Sequence, residues 1–325
     1  MSAAAEVVEV DDYENESGYG DEFSVATTSM DSYMLRYEQK HGRTYHSYRQ
    51  GSYNYPNDDQ EQDRLDLVHH AFRLVLQDKL FLAPINLNSS DLRVLDIGTG
   101  TGLWAIEFAD ENPQATVVGV DLSPIQPTWV PLNVQFYVDD VEEDWDEPKH
   151  YDYIHCRYMA GAIADWPALV RRIYDHLNPG GWVEFQETAN TLYSDDGTLE
   201  PNNALVRLMD NLKKVHDKIG RTLDPAPEFK NWVWGAGFHN IKEQRFKFPV
   251  GPWPRDGRLK EIGAFLSVNF TDGVDAFTAK PFRDHLGWSQ MEVEVLKAEV
   301  RKEAKRREVH AMFDLVVMTA QKPGP

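Results

Sequence analysis

Residues 94–104 read Val94-Leu-Asp-Ile-Gly-Thr-Gly-Thr-Gly-Leu-Trp104: a short apolar run carrying one carboxylate, then three glycines at alternate positions. An apolar run of this length followed by a glycine turn and a helical pattern is the start of a strand–loop–helix unit. The pattern then repeats. Short β-branched runs at Arg93–Ile97, Thr116–Val120, Val134–Val138, Tyr151–His155 and Gly181–Gln186 alternate with helical stretches, including Gly102–Ala109 and Pro167–Leu177, the latter stopped by Asn178-Pro-Gly-Gly181. Such alternation predicts a parallel sheet with crossover helices. Beyond Pro201 the spacing predicts a long helix to about Gly220, a shorter one over Phe229–Trp234, and two last strands at Ile241–Phe248 and Met312–Thr319. The region from Gly251 to Leu286 is rich in Trp, Phe and Gly, fits neither period, and reads as an insertion of about residues 251–290 over the sheet's active edge. No internal repeat is visible.

A bare-backbone turn at a helix N-terminus suits dinucleotides or S-adenosylmethionine (SAM). The dinucleotide fingerprint Gly-x-Gly-x-x-Gly rests a pyrophosphate on the helix N-terminus. Here Gly98, Gly100 and Gly102 are spaced two apart and position 103 is Leu, a poor match. SAM brings an ammonium, a ribose diol and an adenine, so it needs clearance and acidic partners. Asp96 stands before the loop, with Thr99 inside it. Asp121 and Leu122 follow the second strand, where an acid accepts hydrogen bonds from ribose hydroxyls. Asp139-Asp140-Val141 follows the third, offering a carboxylate to the adenine amino group and an amide to a ring nitrogen. Acids at three successive strand ends make one coherent SAM site.

The 325 residues are 42% hydrophobic, enough for one large core or two modest ones. A net charge of -20 argues against direct nucleic-acid binding. The single cysteine, Cys156, fits a reducing compartment. With acids where a signal peptide needs positive charge, and no apolar run long enough to span a bilayer, the expectation is an intracellular, soluble protein, cytoplasmic or nuclear, without membrane insertion. Residues 1–30 hold Glu6, Glu9, Asp11, Asp12, Glu14, Glu16, Asp21 and Glu22 and no Lys or Arg, and read as a disordered acidic tail. Residues 31–90 read as an N-terminal lid and helix: tyrosines recur at 33, 37, 45, 48, 53 and 55, then Asn57–Leu65 opens an amphipathic helix from Asp59 to Leu80. Residues 91–325 form the SAM-binding domain.

The chain from about Tyr33 to Gln321 resembles the LaeA-like methyltransferases of filamentous fungi, a branch of the class I SAM-dependent methyltransferases. The matching pieces are Gly42-Arg-Thr-Tyr-His-Ser-Tyr48, Pro56-Asn-Asp-Asp-Gln-Glu-Gln-Asp-Arg-Leu-Asp66, Val94–Trp104, Gly119-Val-Asp-Leu-Ser-Pro-Ile-Gln-Pro127 and Asn178-Pro-Gly-Gly-Trp-Val-Glu184. The first two lie outside the generic methyltransferase core and point to the branch. The resemblance implies a Rossmann-like α/β fold with a seven-stranded, mostly parallel sheet, helices on both faces, and an antiparallel strand inserted near Met312–Thr319. It also implies cofactor roles for Gly98, Gly100, Gly102, Asp121 and Asp140. The branch includes a nuclear regulator of secondary metabolism that works with velvet-family partners, members of signalling heteromers, and enzymes of biosynthetic clusters. The acceptor is therefore a small molecule or a protein, a regulatory protein partner stays open, and a binding module with little catalysis is the alternative reading.

Methyl transfer is an in-line displacement in which the protein mainly aligns the reactants and excludes water. Tyr37, Tyr45 and Tyr48 are candidates for a lid whose aromatic faces favour the sulfonium, against a plain covering role. If the acceptor must lose a proton, His155 and Glu187 at strand ends, and Tyr45, are the candidate catalytic residues. The structural alternative is a satisfied histidine, and glutamates at 184 and 187 that bond backbone amides. Acceptor recognition is expected over Trp253–Trp288, with Phe265, Phe270, Phe277 and Phe282. The basic stretch Lys297–Arg307 reads as a solvated helix face rather than a nuclear address. No metal site is expected.

Overall fold

The computed structural model describes residues 37–49, 51–145 and 150–324. The acidic tail expected over residues 1–30 lies outside them, as does Tyr33. Seven strands form one sheet: β3 (Arg93–Ile97), β4 (Thr116–Asp121), β5 (Val134–Val138), β6 (Tyr151–Arg157), β7 (Leu177–Tyr193), β8 (His239–Pro249) and β9 (Met312–Gln321), in the order β5-β4-β3-β6-β7-β9-β8. Pairing is parallel from β5 to β7, and β9 runs antiparallel between β7 and β8. The fold is the Rossmann-like class I methyltransferase architecture, with its reversed strand inside the sheet.

Side-chain alternation sorts the strands onto two cores. Leu315 and Val317 of β9 face a cluster built with α1 (Asp59–Val75), α4 (Ala204–Ile219), α6 (Gly257–Lys280) and α7 (Gln290–Glu303). Val316 and Met318 face the opposite cluster, with α3 (Trp166–His176) and α5 (Phe229–Ala236). A third cluster seats Trp104 and Phe108 of α2 (Leu103–Glu111) on Val94, Val117 and Tyr153. Chain order reverses at β3, whose neighbours are β4 and β6. The crevice at the carboxyl ends of strands around such a switch point is where ligands bind in open α/β sheets.

Three readings of the chain change. The region expected to fit neither period forms a 24-residue helix, α6, capped by Asp256, whose side chain accepts from the Leu259 amide. Thirteen of its residues are buried, so its apolar residues leave no single-faced stripe. Gly263 and Gly273 sit where a Cβ would run into the Gly251 carbonyl and the Arg64 side chain, so the glycines that weaken a helical reading are what let α6 pack closely. Helix α1 ends at Val75 rather than Leu80, because Gln77 and Asp78 turn left-handed at φ 58° and 61°. The tyrosine-rich segment contains a small hairpin, β1 (Glu38–Lys40) with β2 (Arg43–Tyr45), turning through His41 and Gly42 at positive φ. No helix among the described residues is long and apolar enough to cross a membrane.

Candidate functional site

A cavity opens at the carboxyl ends of β3, β4, β5 and β6. The glycine loop forms its floor. Gly98, Gly100 and Gly102 all take left-handed φ (66°, 58°, 81°), and at Gly98 and Gly102 a Cβ would collide with Met159 and Phe136 respectively. The loop is tied to β4 by Gly98 and Thr99 amides donating to the Val120 carbonyl at 2.9 and 3.0 Å. The Gly100 amide donates to Asp121 Oδ2 at 2.9 Å, and the Ser123 amide donates to Asp121 Oδ1 at 2.9 Å. One donor on each oxygen leaves Asp121 accepting capacity toward the cavity, which it lines. Burial raises its pKa, and the two amides pull it back down.

Gly98, Thr99, Gly100, Asp121, Leu122, Asp140 and Val141 all line this cavity. Asp96 and Gly102 do not. The Asp96 carboxylate is buried outside the cavity lining, accepting from Thr99 Oγ1 at 2.6 Å and from His155 Nδ1 at 2.7 Å. Gly102 gives room to the Phe136 ring rather than to a ligand.

The proposed proton acceptors also fall away from the cavity. His155 is fully buried, stacked on Trp104 at 3.8 Å between ring centroids, and burial holds its pKa down. It orients Asp96. Glu187 accepts from the amides of Ala160 and Thr188, each at 2.9 Å, and Glu184 from those of Leu82 and Ala83 at 2.8 and 2.7 Å. Burial pushes both carboxyls up to about 7. Tyr45 is fully buried under Lys280, whose Nζ stands 4.4 Å from the ring centroid. Tyr37 is half exposed on the hairpin side, and the Tyr48 ring lies 5.8 Å from the Arg49 guanidinium. Of the tyrosine-rich segment, Ser52, Tyr53, Pro56 and Asn57 are what reach the cavity wall.

Two residues that the chain pattern gave no reason to pick complete the wall. Arg157 at the end of β6 donates through Nη2 to His69 Nδ1 at 2.7 Å, and His69 Nε2 lies 3.0 Å from Glu107 Oε2. A guanidinium only donates, so His69 is neutral with its proton on Nε2, facing Glu107. Burial is the main reason its pKa falls to about 2, with the Arg157 charge second. Burial also lowers Arg157 to about 10. The cavity is thus polarised: acids at the ends of β4 and β5, a cation at the end of β6.

The Asp121 carboxylate with accepting capacity, the bare backbone of Gly98 and Gly100 in the cavity lining, and a cation opposite the acids fit a ligand that has a diol, an amine-bearing base and a zwitterionic amino-acid end. Comparison with known proteins agrees. A family model described as a methyltransferase domain matches residues 67–243. Methyltransferase pytC of Aspergillus terreus is 56% identical over 297 residues, 91% of each chain. Secondary metabolism regulator laeA of Aspergillus fumigatus is 37% identical over 290 residues, 88% of this chain and 76% of its own. Protein-methionine methyltransferase laeA of Emericella nidulans is 35% identical over 299 residues, 91% of this chain and 79% of its own.

Proposed function

The chain belongs to the methyltransferase family, in its LaeA-like branch, and is a SAM-dependent methyltransferase; from that premise we propose that it binds SAM along the carboxyl edge of the sheet and methylates a small molecule of fungal secondary metabolism. In this reading Asp121 holds the ribose hydroxyls, Asp140 and Val141 meet the adenine, and Gly98, Thr99, Gly100 and Leu122 supply close backbone and apolar walls. Arg157 takes the carboxylate of the amino-acid end, as the cation of the wall. When bound, SAM supplies a methyl group on a sulfonium, which leaves as the sulfur keeps the bonding electron pair. The chain's share is alignment and dryness: Tyr53 and Tyr158 line the cavity, and aromatic faces favour a sulfonium by about 0.5–2 kcal/mol. Glu184, Glu187 and His155 do not line the cavity, and its acids are given to the cofactor, so alignment rather than a dedicated base drives transfer.

The observation that carries the site is Asp121, partly buried and left with accepting capacity at the cavity wall. The small-molecule acceptor is supported by the apolar cavity that adjoins the cofactor site; identity is 56% to a protein named methyltransferase pytC, against 37% to a secondary metabolism regulator and 35% to a protein-methionine methyltransferase. A regulatory module, acting with partner proteins and with little turnover, is the second reading, favoured by the regulators' names. Isothermal calorimetry with SAM tests the site: Asp121→Ala weakens binding by about tenfold or more, the scale of a lost charge-assisted hydrogen bond. Affinity within about twofold of wild type would remove Asp121 from the site.

A further inference from the structure

Behind Tyr53, Val68 and Tyr158, which wall both spaces, lies a second cavity. Its lining of Leu266, Phe270, Phe277 and Phe313 with a few polar groups is that of a small-molecule site. The polar groups can be accounted for one by one. Arg64 is paired with Glu61, Nε to Oε2 at 2.9 Å and Nη2 to Oε1 at 2.6 Å, and its Nη1 donates to Asn269 Oδ1 at 2.7 Å. Asn190 receives Thr188 Oγ1 on its Oδ1 at 2.8 Å and donates its Nδ2 to the Leu223 carbonyl at 2.6 Å. Tyr55 pairs its hydroxyl with His216 Nε2 at 3.0 Å.

Tyr158 accepts from Arg64 Nη1 at 3.5 Å, so the balance leaves no uncompensated charge, and its open donors are the hydroxyls of Tyr53 and Tyr158, in the wall shared with the first cavity, and the Asn269 amide deep in the second. A guanidinium offers no acceptor, so the oxygen of the Asn269 amide must face Arg64 and its NH2 group is turned the other way. Asn269 is more than nine-tenths buried and its Nδ2 makes no hydrogen bond among the described residues. A carboxylate or ammonium entering here meets no free counter-charge, which a dry cavity penalises heavily.

We propose that this second cavity is the methyl-acceptor site, and that it takes an uncharged, ring-bearing molecule whose oxygen accepts from Asn269 Nδ2. The inference rests on the methyltransferase reading for the word acceptor, but not for the binding itself. Continuity through Tyr53, Val68 and Tyr158 puts the bound ring next to the cofactor cavity, and α6, which carries Leu266, Asn269, Phe270 and Phe277, forms one wall.

Equilibrium dialysis of the full chain with 2-naphthol, 2-naphthoate and 2-naphthylmethylammonium at neutral pH tests it, with SAM affinity measured separately by calorimetry. Naphthol should bind about tenfold or more tighter than either charged analogue. Leu266→Trp fills the cavity and should weaken naphthol by about tenfold while SAM affinity stays within about twofold. Met209→Trp, at a partly buried lining position, makes the same test if Leu266→Trp does not fold. Charged analogues binding as well as naphthol, naphthol affinity untouched by either tryptophan, or no naphthol binding at millimolar concentration would each overturn the proposal. Naphthol binding without SAM binding would keep this cavity and sink the cofactor site instead.

Discussion

At the residue scale, the buried titratable groups act through stability more than chemistry. His216 is fully buried with Tyr55 on its Nε2, and burial drives its pKa down to about 4. The unfolded chain, near 6.5, therefore binds the proton that the fold refuses. Stability from this group is fully present above about pH 6.5 and is lost as pH falls toward 4, by at most about 3 kcal/mol at 1.36 per unit. Glu184 and Glu187, raised to about 7, act in the opposite sense between about 4.5 and 7, so the wild-type curve alone mixes the two. The comparison with His216→Gln isolates the histidine, because Gln still offers Tyr55 an acceptor. Urea melts at pH 7 and pH 4 should show wild type losing about 2–3 kcal/mol more than the variant. Parallel pH dependences would mean that His216 stays protonated in the fold.

At the element scale, the tyrosine-rich segment divides in two. The β1–β2 hairpin is scaffold: Tyr45 is fully buried and its hydroxyl has no hydrogen-bond partner among the described residues. Tyr45→Ala should cost about 3–5 kcal/mol, the range for an aromatic deleted from a core, and leave SAM affinity unchanged. Tyr45→Phe should be neutral or slightly stabilising, since it removes an unsatisfied buried hydroxyl. A Tyr45→Ala protein that melts like wild type but binds SAM poorly would return Tyr45 to the cofactor. Residues 52–57 are the part that can act as a cover, since they alone of this segment reach the cavity wall. Their ties to the rest of the rim are weak: Asn57 Nδ2 donates to Ser123 Oγ at a long 3.4 Å, and the adjoining Arg49 pairs with Glu143 at 2.6 Å, side chains 46% and 55% exposed, a kind of pair that holds weakly. The basic stretch on α7 is absorbed in the same way as the tyrosines: Lys297 and Arg301 both pair with Asp275, and Arg306 pairs with Glu303.

At the scale of the whole molecule, cofactor binding bridges the two halves of the sheet that part at β3, together with the segment ahead of them. SAM at about 100 times its dissociation constant should add about 2.7 kcal/mol to unfolding, a gain that Asp121→Ala reduces at the same concentration. Hydrogen exchange with and without SAM locates the response. Amides of residues 52–57 should gain protection, and those of the hairpin should be protected in both states. Equal protection of 52–57 in both states would make the segment a static strap.

What the chain alone determined is the part written in local order. A strand, a glycine turn and an acid at each following strand end fall within about fifty residues, because each βα unit carries its ligand group at its own carboxyl edge. The mostly parallel sheet, the reversed strand near Met312 and the SAM site follow from that pattern and the family resemblance. Tertiary structure decided the rest. Arg157 meets His69 and Asn269 meets Arg64 across 88 and 205 residues of chain, and the second cavity draws on positions from Tyr53 to Phe313. Helix α6 hid for the opposite reason, being buried on so many sides that its period vanished. Periodicity records which face of an element meets water, whereas which buried residue meets which is set by packing between distant segments, and that leaves no local mark.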